Sequence, residues 1–136
     1  MNYLNKEIVL IGLGYVGLPL AIKLSNYFDV IGYDVSKKRI HELDKFYDHT
    51  KEVRSSDLKK AKRFRATFDK NNIKNKLIYI VTVPTPVKNN NIPDLSLLKK
   101  ACKLVGNVMA ENSIIIFEST VYPGVTEKVC ASIISK

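Results

Sequence analysis

Three glycines and one carboxylate carry the first chemical signal in this chain. Gly12, Gly14 and Gly17 stand in the spacing G-x-G-x-x-G, and Asp34 follows 17 residues after Gly17. In such a pattern the first glycine allows a tight turn, the second lets a diphosphate approach the backbone, and the third lets a helix lie close to a strand. A helix starting there turns its unpaired N–H groups and positive dipole end toward the phosphates. An acid roughly 20 residues further on accepts the hydroxyls of a ribose. The segment Gly12-Leu13-Gly14-Tyr15-Val16-Gly17, together with Asp34, is therefore a candidate dinucleotide-binding site.

Chemistry of this kind needs a strand before the glycines and a helix after them. Ile8 to Ile11 is an unbroken apolar run, the pattern of a strand buried on both faces of a parallel sheet. Helical spacing then places Val16, Leu20 and Leu24 on one stripe with Ala21 beside them, and Pro19 falls in the first turn. Asp29 to Asp34 reads as a second strand, with Asp34 at its carboxyl end. Ser36 caps a helix carrying Ile40, Leu43 and Tyr47, and Ser56 or Asp57 caps a short helix through Lys62. Arg65 to Phe68 is a short strand and Asp69 to Asn75 a polar connection. Leu77 to Val81 is a further apolar strand that stops in Thr82-Val83-Pro84-Thr85-Pro86. Asp94 or Ser96 caps a helix with Leu97, Leu98, Ala101, Leu104, Val105 and Val108 inward. Ser113 to Phe117 is the last strand, followed by Glu118-Ser119-Thr120-Val121-Tyr122-Pro123-Gly124 and a helix with Val125, Val129 and Ile133 on its packing stripe. The order predicts an α/β fold: a Rossmann-type parallel sheet ordered 3-2-1-4-5, with right-handed connections and helices on both faces. The three strand-end loops then meet at one edge.

A chain of 136 residues with 46% hydrophobic content is one domain with a real core. The net charge of +9 raises a nucleic-acid reading. Ten Lys or Arg residues and three acids lie between Lys51 and Lys76, yet no RNA-type aromatic motif or recognition-helix pattern accompanies them. The reading is a solvated basic surface that helps gather an anionic nucleotide, without a nucleic-acid partner. Cys102 and Cys130 lack C-x-x-C spacing, and His41 and His49 lack ligand companions, so no metal is expected. Glycines, Pro19 and Lys23 interrupt the apolar run from Ile8 to Leu24, which excludes a membrane span. The expected setting is cytoplasmic. For an enzyme on this fold the chain is short, and it is expected to be a fragment, residues 1–136, of a longer protein.

Several motifs together resemble the UDP-glucose/GDP-mannose dehydrogenases. Gly12-Leu13-Gly14-Tyr15-Val16-Gly17-Leu18-Pro19 looks like that family's cofactor loop, and Val81-Thr82-Val83-Pro84-Thr85-Pro86 and Glu118-Ser119-Thr120-Val121-Tyr122-Pro123-Gly124 resemble its two later loops. The latter loop, with Asp48-His49-Thr50-Lys51-Glu52, is closer to bacterial UDP-N-acetylhexosamine 6-dehydrogenases than to UDP-glucose enzymes. The resemblance implies an NAD-dependent, twofold oxidation of a sugar-nucleotide 6-hydroxyl to a carboxylate, supplying uronic acids for capsule or O-antigen polysaccharide. It implies that Asp34 and Arg39 hold the adenosine end, that Val83, Pro84 and Thr85 line the cofactor, and that Ser119, Thr120 and Val121 approach the nicotinamide. Thr120 would orient a catalytic water. The family's nucleophilic cysteine and most of its UDP-sugar site would lie outside this chain, which alone is expected to be inactive, and the full-length protein is expected to form a homodimer or higher oligomer. The competing readings are a UDP-glucose 6-dehydrogenase and a non-catalytic module that senses NAD.

Overall fold

A computed structural model describes residues 6–136, so the first five residues of the expected domain lie outside the described residues. Its framework is five short parallel strands: β1 (Ile8–Ile11), β2 (Val30–Tyr33), β3 (Phe64–Thr67), β4 (Ile78–Val81) and β5 (Ile114–Phe117). They form one sheet in the order β3-β2-β1-β4-β5. β1 lies at the centre, with Ile8 opposite Val30 on one side and Ile78 on the other. All four of its residues are buried, which is why an Ile-Val-Leu-Ile run without alternation suits it.

Strand alternation divides the interior into two layers. Val9, Ile11, Ile31, Tyr33, Tyr79 and Val81 face α4 (Ser96–Val108) and α5 (Ala131–Ile134). Ile8, Leu10, Val30 and Ile80 face α1 (Gly17–Leu24), α2 (Lys37–Asp44) and α3 (Ser55–Lys60). Tyr79 is wholly buried, and its hydroxyl is satisfied by donating to the Ile73 carbonyl at 2.7 Å. Cys102 on α4 and Cys130 are both enclosed in the first layer. The sheet is less covered at β5, where Ile114 and Ile116 are 42% and 39% exposed.

Local details depart from the sequence reading in several places. Val16 does not join a buried stripe: α1 begins at Gly17, and Leu18 and Ala21 are the inward residues while Val16 is 55% exposed. The close seat of Gly17 against the strand end fixes this rotation of the helix. Tyr47 lies outside α2, because Asp44 ends the helix and Phe46 takes a left-handed φ of +56°. Neither Ser56 nor Asp57 caps α3, which starts at Ser55 after Arg54 and ends at Lys60. Leu95 occupies the start of α4, with the Asp94 carboxylate instead accepting from the Ser96 N–H at 2.9 Å. Within the polar connection, Lys70–Ile73 forms a 3-10 turn that buries Ile73 completely. The last helix opens with a π-helical turn, Thr126–Cys130, whose wider turn brings Cys130 inward beside Val125.

Candidate cofactor-binding site

At the end of β1 the chain turns at Gly12, whose φ of +100° is open to glycine and strained for other residues. Three side chains from different elements hold the turn. Thr82 Oγ1 donates to the Gly12 carbonyl at 2.8 Å, the Leu13 N–H donates to Asp34 Oδ2 at 3.0 Å, and Arg39 Nε donates to the Leu13 carbonyl at 2.7 Å. Gly17 sits so close to this turn that a Cβ there would lie 1.8 Å from the Gly12 carbonyl oxygen. Among the described residues, the N–H groups of Gly14, Tyr15, Val16 and Gly17 donate to no protein acceptor. A Cβ on Gly14 would meet nothing within 4 Å, and its φ is not positive. Neither packing nor backbone conformation therefore requires glycine at position 14; open space beside free N–H groups does fit an approaching diphosphate. Tyr15 and Val16 are exposed on the same turn.

Asp34 stands at the end of β2, as the sequence places it. Its two oxygens accept from the N–H groups of Leu13, at 3.0 Å, and Ser36, at 2.9 Å. An ionised carboxylate offers about four lone-pair sites, so it retains capacity for a ribose diol. Ser36 also caps α2, accepting from the Arg39 N–H at 3.2 Å.

Arg39 is 5% exposed and far more engaged than an adenosine contact requires. Besides the Leu13 carbonyl, its guanidinium meets Asp48 Oδ1 at 2.9 Å, His49 Nδ1 at 3.2 Å and Glu42 Oε2 at 3.5 Å. Its Nη2 is a buried polar atom without a partner among the described residues. Asp48, whose side chain is fully buried, also accepts from the N–H groups of Thr50, Glu52 and Val53 and from Thr50 Oγ1. Burial pushes its carboxyl up, but the hydrogen bonds from Thr50, Val53 and Arg39 outweigh this and hold it below the ordinary carboxylate value. In the sequence Asp48 stands out only as the first residue of the Asp48-His49-Thr50-Lys51-Glu52 segment. The only local trace of its role is the Asp-x-Thr spacing of a side-chain-closed turn.

The two later loops are joined to each other at the ends of β4 and β5. Ser119 Oγ donates to the Val83 carbonyl at 2.7 Å, and Thr85 Oγ1 donates to the Thr120 carbonyl at 2.5 Å. Val83 also lies within 3.2 Å of a Cβ built on Gly12, which brings this loop against the glycine turn. Pro84 and Thr120 are exposed, and Val121 is partly buried against the core. Both cysteines are buried in the core, and no cluster of potential metal ligands occurs among the described residues.

Residues 6–136 match the UDP-glucose/GDP-mannose dehydrogenase family, NAD binding domain. The chain belongs to that family. As its NAD-binding domain, the chain is 42% identical to UDP-N-acetyl-D-glucosamine 6-dehydrogenase of Pseudomonas aeruginosa over 96% of its own length and 31% of that protein. It is also 42% identical to Protein CapL of Staphylococcus aureus, covering 98% of this chain and 31% of the relative. Among solved structures, UDP-D-ManNAc dehydrogenase from Pyrococcus horikoshii superposes with a TM-score of 0.86 at 32% identity, covering 96% of this chain and 33% of the other. A ternary complex of GDP-mannose dehydrogenase from Pseudomonas aeruginosa gives 0.85 at 29% identity, with 94% and 31% covered. The family's NAD-binding domain thus spans this chain, which covers about a third of the length of these relatives.

Proposed function

We propose that this chain is the NAD-binding part of a longer nucleotide-sugar 6-dehydrogenase that converts a UDP-N-acetylhexosamine to its uronic acid for capsule or O-antigen polysaccharide. The observation that carries the reading is the clamped glycine turn, with its free N–H groups and open space at Gly14, set beside the Asp34 carboxylate. The 42% identity to a UDP-N-acetyl-D-glucosamine 6-dehydrogenase supports the amino-sugar class over UDP-glucose. On this reading the turn from Gly12 to Gly17 holds the diphosphate, Asp34 and Arg39 the adenosine end, Val83, Pro84 and Thr85 the dinucleotide's flank, and Ser119, Thr120 and Val121 the nicotinamide end. Bound NAD would supply the hydride acceptor for alcohol oxidation. Thr120, exposed at its loop, would orient a water. A cytoplasmic setting and a homodimer or higher assembly belong to the same proposal.

A carboxylate at position 34 accepts ribose hydroxyls and repels a 2′-phosphate, so calorimetric titration is expected to show NAD bound more tightly than NADP. Asp34→Ala is expected to weaken NAD binding by about 1.5–3 kcal/mol, the worth of a hydrogen bond to a charged group. Tighter binding of NADP, or unchanged NAD affinity in the variant, would exclude the assignment. The chain alone is expected to form no NADH from UDP-N-acetylglucosamine, because hydride transfer needs the sugar's C6 held against the nicotinamide and most of the UDP-sugar site is expected outside this chain. Both of its thiols are buried and offer no nucleophile for the second oxidation. Turnover that vanishes in Cys102→Ser would place the active site elsewhere.

A further inference from the structure

Thr82 continues β4 past Val81 and is 7% exposed. Its N–H donates to the Ile11 carbonyl at 2.9 Å, extending the sheet. Its hydroxyl lies 2.8 Å from the Gly12 carbonyl oxygen and 3.1 Å from that of Ile11, and one proton serves both. The shorter distance assigns that proton chiefly to Gly12. The same oxygen is 2.5 Å from the position of a Cβ on Gly17, so it stands where the two ends of the glycine motif converge.

We propose that Thr82 is a positioning residue for the diphosphate of the dinucleotide, acting through the Gly12–Leu13 peptide without touching the ligand. The inference rests on the reading of this edge as a dinucleotide site. A glycine at φ +100° leaves the next peptide unit little steric restraint of its own. Asp34 holds that peptide by its N–H, from Leu13, and Thr82 holds it by its carbonyl, from Gly12. Among the described residues, Thr82 is the hydrogen-bond donor to the Gly12 carbonyl. With both ends held, the N–H groups from Gly14 to Gly17 stay directed outward. Valine at position 82 would fill the same volume and place a methyl group against two carbonyl oxygens, freeing the peptide to turn.

The test measures NAD, ADP and adenosine binding to the unaltered chain, Thr82→Val and Thr82→Ser, with calorimetry for the phosphorylated ligands and amide chemical shifts for adenosine. Thr82→Val is expected to weaken NAD and ADP about three- to tenfold, the worth of one net hydrogen bond, and to leave adenosine unchanged. Thr82→Ser, which keeps the hydroxyl, restores phosphate-ligand binding. If Thr82→Val does not fold, Thr82→Ala carries the same comparison. NAD binding within about twofold of normal in the folded variant, or equal weakening of NAD and adenosine, overturns the inference and leaves the cofactor reading standing. An unaltered chain that binds no NAD overturns both.

Discussion

Replacing Gly17 with alanine is expected to destabilise the fold by about 3 kcal/mol or more, while the same change at Gly14 leaves stability within about 1 kcal/mol and weakens NAD binding instead. The added Cβ at Gly17 would sit 1.8 Å from the Gly12 oxygen, 2.9 Å from the Gly12 carbonyl carbon and 2.5 Å from Thr82 Oγ1. Two of those atoms are backbone at the end of the central strand, so rotation of a side chain cannot relieve the overlap. Relief requires α1 to lift from the sheet, uncovering Leu18 and Ala21, both 0% exposed. At Gly14 a Cβ meets no protein atom, and its cost falls on the ligand whose space it takes. Urea unfolding together with NAD titration separates the two effects. Equal destabilisation by both substitutions, or full NAD affinity in Gly14→Ala, would refute this division of labour.

Asp48→Asn is expected to cost about 3–5 kcal/mol, the usual penalty for stranding one member of a buried ion pair. Arg39 would keep its charge at 5% exposure, with an amide where its carboxylate partner had been. The turn from Thr50 to Val53 would also lose the charge of the acceptor that closes it. Because Asp48 is held below the ordinary value of 3.8, its contribution is present above that value and is lost as pH falls through the lower folded pKa. Unfolding midpoints measured across the acid range should therefore converge for the two proteins. A constant difference down to the lowest pH at which both fold would contradict this account. The damage should also reach the cofactor loop, since Arg39 joins Asp48 to the Leu13 carbonyl.

The sheet order was legible because each long-range decision was written locally: apolar runs marked the strands, and glycine or proline punctuated their ends. Asp34 was legible for the same reason, being fixed by its spacing from the glycines. Thr82, Asp48 and the engagement of Arg39 were not. Thr82 meets Gly12 across 70 residues of chain, and Arg39 meets Leu13 across 26, so neither leaves a periodic trace. Element ends misled where a backbone feature intervened, as with the left-handed Phe46 that ends α2 short of Tyr47. The packing stripe of the last helix, Val125, Val129 and Ile133, does lie against the core, and the π-helical turn at Thr126–Cys130 adds Cys130 to it, which the helical period does not foretell. Val16 falls off the buried stripe because periodicity alone cannot register a helix whose rotation is set by a backbone contact at Gly17.

The enclosure of the two thiols bears on how a longer protein carrying this domain can be studied. Burial, with Cys130 close by, pushes the Cys102 thiol up to about 12, and burial raises Cys130 as well. Thiolate is the reactive form, so at neutral pH both resist alkylation for as long as the core remains closed. Maleimide or iodoacetamide incorporated rapidly into such a protein reports a cysteine outside this domain. Slow incorporation into Cys102 or Cys130 would clock the opening of the α4 side of the sheet, making the pair an internal gauge of domain unfolding.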